Sequence, residues 1–144
     1  MTPLEFLAVV LPSPGTGYYC AVELTKKREH AFVEKLEDVL PYVDRWDKAN
    51  CDVFFALSTF AKAGKRTAEN TLKIKAFFID MDGYESKKAA ALALDAFMEK
   101  VGLSELGKPW IVSSGGGIHC YWPLTEELPT DVWKPVAENL KRLC

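Results

Sequence analysis

The chain has 144 residues, 49% of them hydrophobic and 26% charged, and a formal net charge of −2. A chain of this length can bury about 70% of the surface that it exposes when unfolded, and this composition excludes a disordered or fibrous protein. The small negative charge excludes general attraction to nucleic acid, so any such binding needs a local concentration of positive charge.

The N-terminal residues show no targeting signal. Residues 1–5 lack the basic region of a signal peptide, and the apolar run of residues 6–11 is too short to span a bilayer. We therefore expect a cytoplasmic protein with no membrane partner. The four cysteines are widely spaced and form no CxxC pair, which favours buried thiols over disulfides or zinc ligands: Cys20, Cys51, Cys120 and Cys144.

Residues 1–50 are predicted to form a supporting αβ subdomain. Thr2 and Glu5 have the spacing of a capping box, which predicts a helix over residues 3–11. A strand over residues 17–24 and a helix over residues 29–39 follow. No chemistry is predicted here, and nothing in the sequence distinguishes three ionisable side chains from surface groups: Glu23, His30 and Asp44.

Residues 51–144 are predicted to form the main domain. Its predicted strands cover residues 52–60, 73–82, 109–114 and 118–124, and its predicted helices cover residues 86–101 and begin again near Thr130. The last helix is still amphipathic at Cys144, so we expect a domain truncated at its C-terminus.

A concentration of positive charge lies between the first two of these strands. Residues 62–75 contain a single acid, Glu69, and five cations: Lys62, Lys65, Arg66, Lys73 and Lys75. Such a stretch is typical of a solvated loop. It is also a segment whose local charge would attract phosphate groups.

Two acids end the predicted strand of residues 73–82. Strand alternation places Asp80 and Asp82 on one face, and Phe77, Ile79 and Met81 on the other. Two carboxylates at this spacing are roughly 6.5 Å apart and repel each other by about 2.5 kcal/mol at an effective dielectric constant near 20. A hard divalent cation would relieve that repulsion, although acids are also common where a strand ends in a solvated turn.

Small residues join the next two strands, and a histidine follows them. The loop consists of Ser113, Ser114, Gly115, Gly116 and Gly117. Backbone N–H groups of such residues can approach an anion closely, so the loop and His119 are candidates for binding phosphate. A plain turn followed by a hydrogen-bonded histidine is the alternative interpretation.

Together, the acid pair, the basic segment and the glycine–histidine hairpin supply the parts of a phosphoryl- or nucleotidyl-transfer site. At these residues the sequence resembles the archaeo-eukaryotic primase superfamily, specifically the primase-polymerases of phages, plasmids and other mobile elements. The segment FFIDMDG, residues 77–83, resembles the family's first motif, whose acids bind the catalytic metals. The segment SSGGGIHCYWPL, residues 113–124, resembles the second, whose histidine contacts the phosphates of the nucleotide.

The resemblance implies template-dependent nucleotidyl transfer by a DNA primase or polymerase, with two Mg²⁺ or Mn²⁺ ions held by Asp80 and Asp82. It implies that His119 and the loop of residues 113–117 bind a nucleoside triphosphate, and that Lys65, Arg66 and Asn70 meet nucleotide or template phosphates. The implied partners are single-stranded or primed DNA and a helicase, in a bacterial cell or a phage-infected host. The implied fold is α+β, with a mainly antiparallel sheet like that of RNA-recognition modules, helices on one face and the catalytic cleft on the other.

The sequence departs from the family at its C-terminus, and two alternatives stay open. The family's third acidic motif follows the last helix, and no such segment is present, so weak or absent activity is expected of this chain. A haloacid-dehalogenase-type phosphatase fits FFIDMDG, but it has Thr or Val where this chain has Tyr84, and it leaves the hairpin unexplained. A non-catalytic nucleic-acid-binding module, stacking bases on exposed aromatic rings such as Tyr121, leaves the two acids unexplained.

Overall fold

The computed structural model describes residues 1–15, 17–103, 107–113 and 115–143. This part of the chain has an α+β fold in which helices accompany two antiparallel sheets, which confirms the predicted class. The likeness to RNA-recognition modules stays a prediction.

The described residues form four α-helices and seven strands. In chain order these are α1 (Pro3–Val10), β1 (Tyr19–Glu23), β2 (His30–Val33), α2 (Leu40–Lys48), β3 (Val53–Phe55), β4 (Ser58–Phe60), β5 (Thr71–Asp82), α3 (Lys87–Val101), β6 (Trp110–Ser113), β7 (Gly117–Pro129) and α4 (Thr130–Leu143). Short 3₁₀ helices cover Leu36–Val39 and Ala68–Asn70. None of the described helices is long and apolar enough to cross a bilayer.

The chain divides into two compact units. Unit 1 comprises Met1–Lys75 and Thr125–Trp133, and unit 2 comprises Ala76–Leu124 and Lys134–Cys144. The boundary predicted after residue 50 falls within unit 1. One sheet has the strand order β2-β1-β3 and the other has the order β4-β5-β7-β6.

The core of unit 1 is built around β1, in which all five residues are buried. This strand pairs antiparallel with β2 on one side and with β3 on the other, so its backbone groups are satisfied along both edges.

The helix α1 begins at the predicted capping box: the Glu5 N–H donates to Thr2 Oγ1 at 3.2 Å, and the Thr2 N–H donates to Glu5 Oε2 at 2.7 Å.

The helix predicted over residues 29–39 is wrong. His30–Val33 form β2, and Leu36–Val39 form a 3₁₀ helix instead. The apolar residues Phe32, Leu36 and Val39 have helical spacing, but the backbone groups of the first segment pair with β1, with Cys20 opposite Phe32. Sheet pairing, which sequence periodicity does not register, therefore overrides the helical pattern.

The single strand predicted over residues 52–60 is corrected to two. β3 ends at Phe55 and pairs with β1, whereas β4 begins at Ser58 and pairs with β5 in the other sheet. The Ala56 N–H donates to the Cys20 carbonyl at 2.9 Å, beyond the end of β3. A continuous apolar run thus supplies strands to two sheets.

Glu23, which the sequence does not distinguish from a surface group, is buried, with 2% of its area exposed. Its carboxylate accepts the backbone N–H groups of Thr25, Lys26 and Glu29 at 2.9–3.1 Å. These bonds, that of Lys26 first, lower the pKa of Glu23 from its ordinary value to about 2. The carboxylate therefore holds the turn between β1 and β2 in its folded shape.

We expect Glu23→Gln to weaken the dependence of stability on acid. Because the pKa is lowered in the folded state, the stabilisation by Glu23 is present above its ordinary pKa of 4.5 and is lost as the pH falls towards 2. Melting temperatures measured across this range should fall less steeply in the variant, which should also melt lower at pH 7. Glu34→Gln, at an exposed position, is the matched control; a wild-type pH profile for Glu23→Gln would contradict this role.

In unit 2, α3 packs against one face of β5 and β7. The Ser86 hydroxyl accepts the Ala89 N–H at 3.0 Å at the start of the helix, and Gly102 ends it with a left-handed φ of 78°, as predicted. The buried cluster between helix and strands comprises Met81, Ala90, Leu94, Met98, Ile118, Cys120 and Trp122, with Phe77 and Ile79 packed against it. Every strand residue predicted to face the helices does so.

Candidate functional site

The two acids of β5 lie on the face of the strand that does not pack against α3. Asp80 and Asp82 are both exposed, while Ile79 and Met81 contribute to the apolar cluster. The side chain of Asp80 is 48% exposed, so water and small ions reach it. The predicted orientation of the acid pair is confirmed.

β7 brings His119 beside this pair. His119 Nε2 lies 3.5 Å from Asp80 Oδ1, and the rings of Phe78 and Tyr121 are in contact. Asp80 meets His119, and Phe78, two residues earlier on β5, meets Tyr121, two residues later on β7. Neighbouring antiparallel strands bring residues together in this way. The adjacency of β5 and β7 in the sheet thus places His119 beside Asp80.

The glycines of the hairpin make room for Asp82. A side chain at Gly117 would overlap the Met81 carbonyl oxygen, and its Cβ would lie 3.0 Å from Asp82 Oδ1. A Cβ at Gly116 would lie 2.8 Å from the same oxygen. Gly115, in contrast, has open space around it. Gly117 is therefore needed for the close approach of the loop to β5, because its Cβ would meet a backbone atom, whereas at Gly116 the Asp82 side chain could move aside.

A lysine that sequence reasoning missed lies at the same hairpin. Lys87, the first residue of α3, donates from Nζ to Ser113 Oγ. An ammonium group has three donors, so Lys87 can hold Ser113 and an anion together. Ser114, predicted to bind phosphate with Ser113, lies outside the described residues.

Asn70 is hydrogen-bonded within the basic loop. Its side-chain NH₂ donates to the carbonyls of Lys62 and Lys65 at 2.7 and 2.6 Å, and its Oδ1 accepts the Lys62 N–H at 3.1 Å. Both amide donors are therefore occupied in shaping the basic loop. Contact of Asn70 with nucleotide stays a prediction.

The basic loop belongs to unit 1, whereas the acids belong to unit 2. Lys65 and Arg66 are exposed, and the Arg66 Nε–H donates to His30 Nε2 at 3.1 Å. Lys73 and Lys75, counted with the loop in the sequence, lie within β5. Phosphate binding by Lys65 and Arg66 stays a prediction.

The aromatic residues of this face differ from those expected. Tyr121, named as an exposed stacking ring, is only 5% exposed, whereas Phe78 is 39% exposed. Burial, together with the charge of Asp80, raises the pKa of Tyr121 to about 12. A polyphosphate beside the two carboxylates would be repelled by their charges unless a cation were present.

An open pocket of about 210 Å³ lies along the end of β5. Its lining comprises Ile79, Asp80, Met81, Asp82, Tyr84, Ala93 and Phe97. Because these residues come from both faces of the strand, the pocket follows the strand edge, with apolar walls on the α3 side. The two acids thus border a concave surface as well as the open sheet face.

The two carboxylates suit a hard divalent cation whose remaining ligands are water or substrate oxygens. Among the residues that the structure describes, no three His, Cys, Asp or Glu side chains gather as a metal site. Mg²⁺ is commonly held by one or two carboxylates, with water and substrate phosphates filling its other positions. Asp80 and Asp82 fit that arrangement, whereas a closed, all-protein cage does not form within the described ranges.

Only part of this site carries a signal in the sequence. The acids, the histidine and the glycines stand in recognisable motifs. Lys87 does not, because its contact with Ser113 depends on how α3 packs against the strands, and Phe78 resembles any apolar strand residue until its exposure is known.

No protein-family model, curated protein or solved structure matches the chain.

Proposed function

We propose that this chain carries the nucleotide-binding and metal-binding part of a primase-polymerase, an enzyme that joins nucleotides on a DNA template. The observation that carries the proposal is the meeting of the two motifs at one place: Asp80 and Asp82 on β5, with His119 on β7 at 3.5 Å from Asp80. The resemblance to phage and plasmid enzymes supports the same assignment and suggests a cytoplasmic role in replicating a mobile element.

In this proposal Asp80 and Asp82 hold Mg²⁺ or Mn²⁺. Bound divalent cations supply charge stabilisation for the attacking and leaving oxygens of nucleotidyl transfer. The protein's own contribution is to aim two carboxylates in one direction from a strand whose other face is fixed in the core. Such rigid placement reduces the reorganisation that would otherwise accompany the reaction.

The positive and neutral donors of the hairpin would bind the triphosphate. His119 and Lys87 provide side-chain donors, and the loop approaches Asp82 through Gly116 and Gly117. Anion-binding groups thus lie directly beside the metal-binding acids, as a metal–triphosphate complex requires. Template binding would draw on Lys65 and Arg66.

We expect His119→Ala and Lys87→Ala each to weaken triphosphate binding about tenfold, because each removes a charged or polar donor to phosphate. The measurement is calorimetric titration with a nucleoside triphosphate in the presence of Mn²⁺. Lys88→Ala is the matched control, since Lys88 is exposed on the same turn of α3. Equal affinity of all three variants and the wild type would remove His119 and Lys87 from the site.

A further inference from the structure

One aromatic ring on the acid-bearing face of β5 is partly exposed beside the two acids. Phe78 is 39% exposed, although Ile74 and Ala76, earlier on the same face, are 4% and 0% exposed. From Phe78 onward this face is open, and it presents an aromatic ring, then Asp80, then Asp82. An exposed apolar side chain is not unusual by itself, but this ring stands directly before the two acids on the same open face.

The ring is held in place by its neighbours. It contacts His119 edge to face, with centroids 5.3 Å apart and planes at 81°, and it contacts Tyr121 at 5.0 Å. Tyr121 is itself buried, so Phe78 rests on a fixed support. An aromatic surface that is already ordered gives up little conformational entropy when a ligand stacks on it.

We infer that Phe78 is the platform on which the base of the bound nucleotide stacks. This inference rests on the proposed function and adds the base-binding part to it. A nucleoside triphosphate is an aromatic base joined through a sugar to a chain of anions, and the open strand face offers an aromatic ring followed by metal-binding acids in the same order. Stacking on a ring tolerates every base, because each has a π face.

The pocket along the strand edge is the competing place for the base. Tyr84, 42% exposed, is its aromatic residue. Phe78 differs from Tyr84 in touching His119, which lies against Asp80. The contact joins the ring directly to the groups assigned to the phosphates, and this favours the open face over the pocket.

The test compares a probe that has a base with one that has none. Wild type, Phe78→Ala, Phe78→Leu and Tyr84→Ala are titrated with dATP and with inorganic tripolyphosphate in the presence of Mn²⁺. Circular dichroism and melting curves accompany each variant, and Phe78→Leu keeps the apolar contact with His119 and Tyr121 while removing the π face. We expect both Phe78 variants to bind dATP at least fivefold and up to about a hundredfold more weakly, with unchanged affinity for tripolyphosphate.

The two probes distinguish a failure of the stacking role of Phe78 from a failure of the triphosphate site. If dATP affinity is unchanged in the folded Phe78 variants, or if Tyr84→Ala alone loses it, the stacking role is overturned while the triphosphate site stands. An equal loss for both probes in Phe78→Leu would also overturn it, because the ring would then act only by positioning His119. A wild-type chain that binds neither probe overturns the inference and the proposed function together.

Discussion

Replacing either Asp80 or Asp82 with Asn is expected to reduce metal-dependent nucleotide binding by about a hundredfold or more. Removing a carboxylate takes away an oxygen ligand with a full charge, and metal–carboxylate attraction in such sites is worth several kcal/mol. The affinity for a nucleoside triphosphate is measured with Mn²⁺ and again with a chelator. With the chelator present, the variants should bind no worse than the wild type, because Asn no longer repels phosphate.

The same variants distinguish a functional acid pair from a structural one. Two like charges on adjacent positions of one strand face oppose folding, so the melting temperature in the absence of metal should stay the same or rise. Asp95→Asn, at an exposed position of α3 in the same unit, is the control for a generic loss of charge. A marked fall in melting temperature with unaltered nucleotide affinity would show that the acids serve the strand end instead.

Gly117→Ala is expected to destabilise the protein by about 1–3 kcal/mol and to weaken nucleotide binding with it. The new methyl group would overlap the Met81 carbonyl oxygen and lie 3.0 Å from Asp82 Oδ1. A backbone atom cannot swing aside as a flexible side chain does, so β5 and β7 must separate locally. Urea unfolding monitored by circular dichroism measures the loss of stability.

Gly115→Ala provides a closely matched comparison, two residues away in the same loop. A Cβ at Gly115 meets nothing within 4 Å, so this variant should keep wild-type stability. Equal destabilisation by the two substitutions would indicate that the loop needs glycine for general flexibility. Wild-type behaviour of Gly117→Ala would contradict the close approach of the hairpin to β5.

Local rules predicted the elements that position the site. The period of two along β5 and β7 determines which side chains meet α3, because Phe77, Ile79 and Met81 are apolar and alternate with a face that carries Asp80 and Asp82. The first residues of α1 and α3 follow from the capping side chains, which bond within three residues of the helix start. These features depend on neighbours in the sequence, so a sequence pattern records them.

The errors arise where distant residues decide the outcome. His30–Val33 form a strand because their backbone groups pair with those of β1. The hydrogen bonds of the Glu23 carboxylate depend on the turn between these two strands. The contact of Lys87 with Ser113 and the exposure of Phe78 likewise depend on packing between elements. Sequence motifs therefore singled out the acids, the histidine and the glycines as candidates, but not Lys87 or Phe78.

The most direct test of the account is a calorimetric titration of the wild-type chain with a nucleoside triphosphate, performed with Mn²⁺ and with a chelator. We expect saturable binding with the metal and none with the chelator. No binding by the folded chain in the presence of metal, or equal binding in both conditions, would contradict the metal–nucleotide site at Asp80, Asp82 and His119.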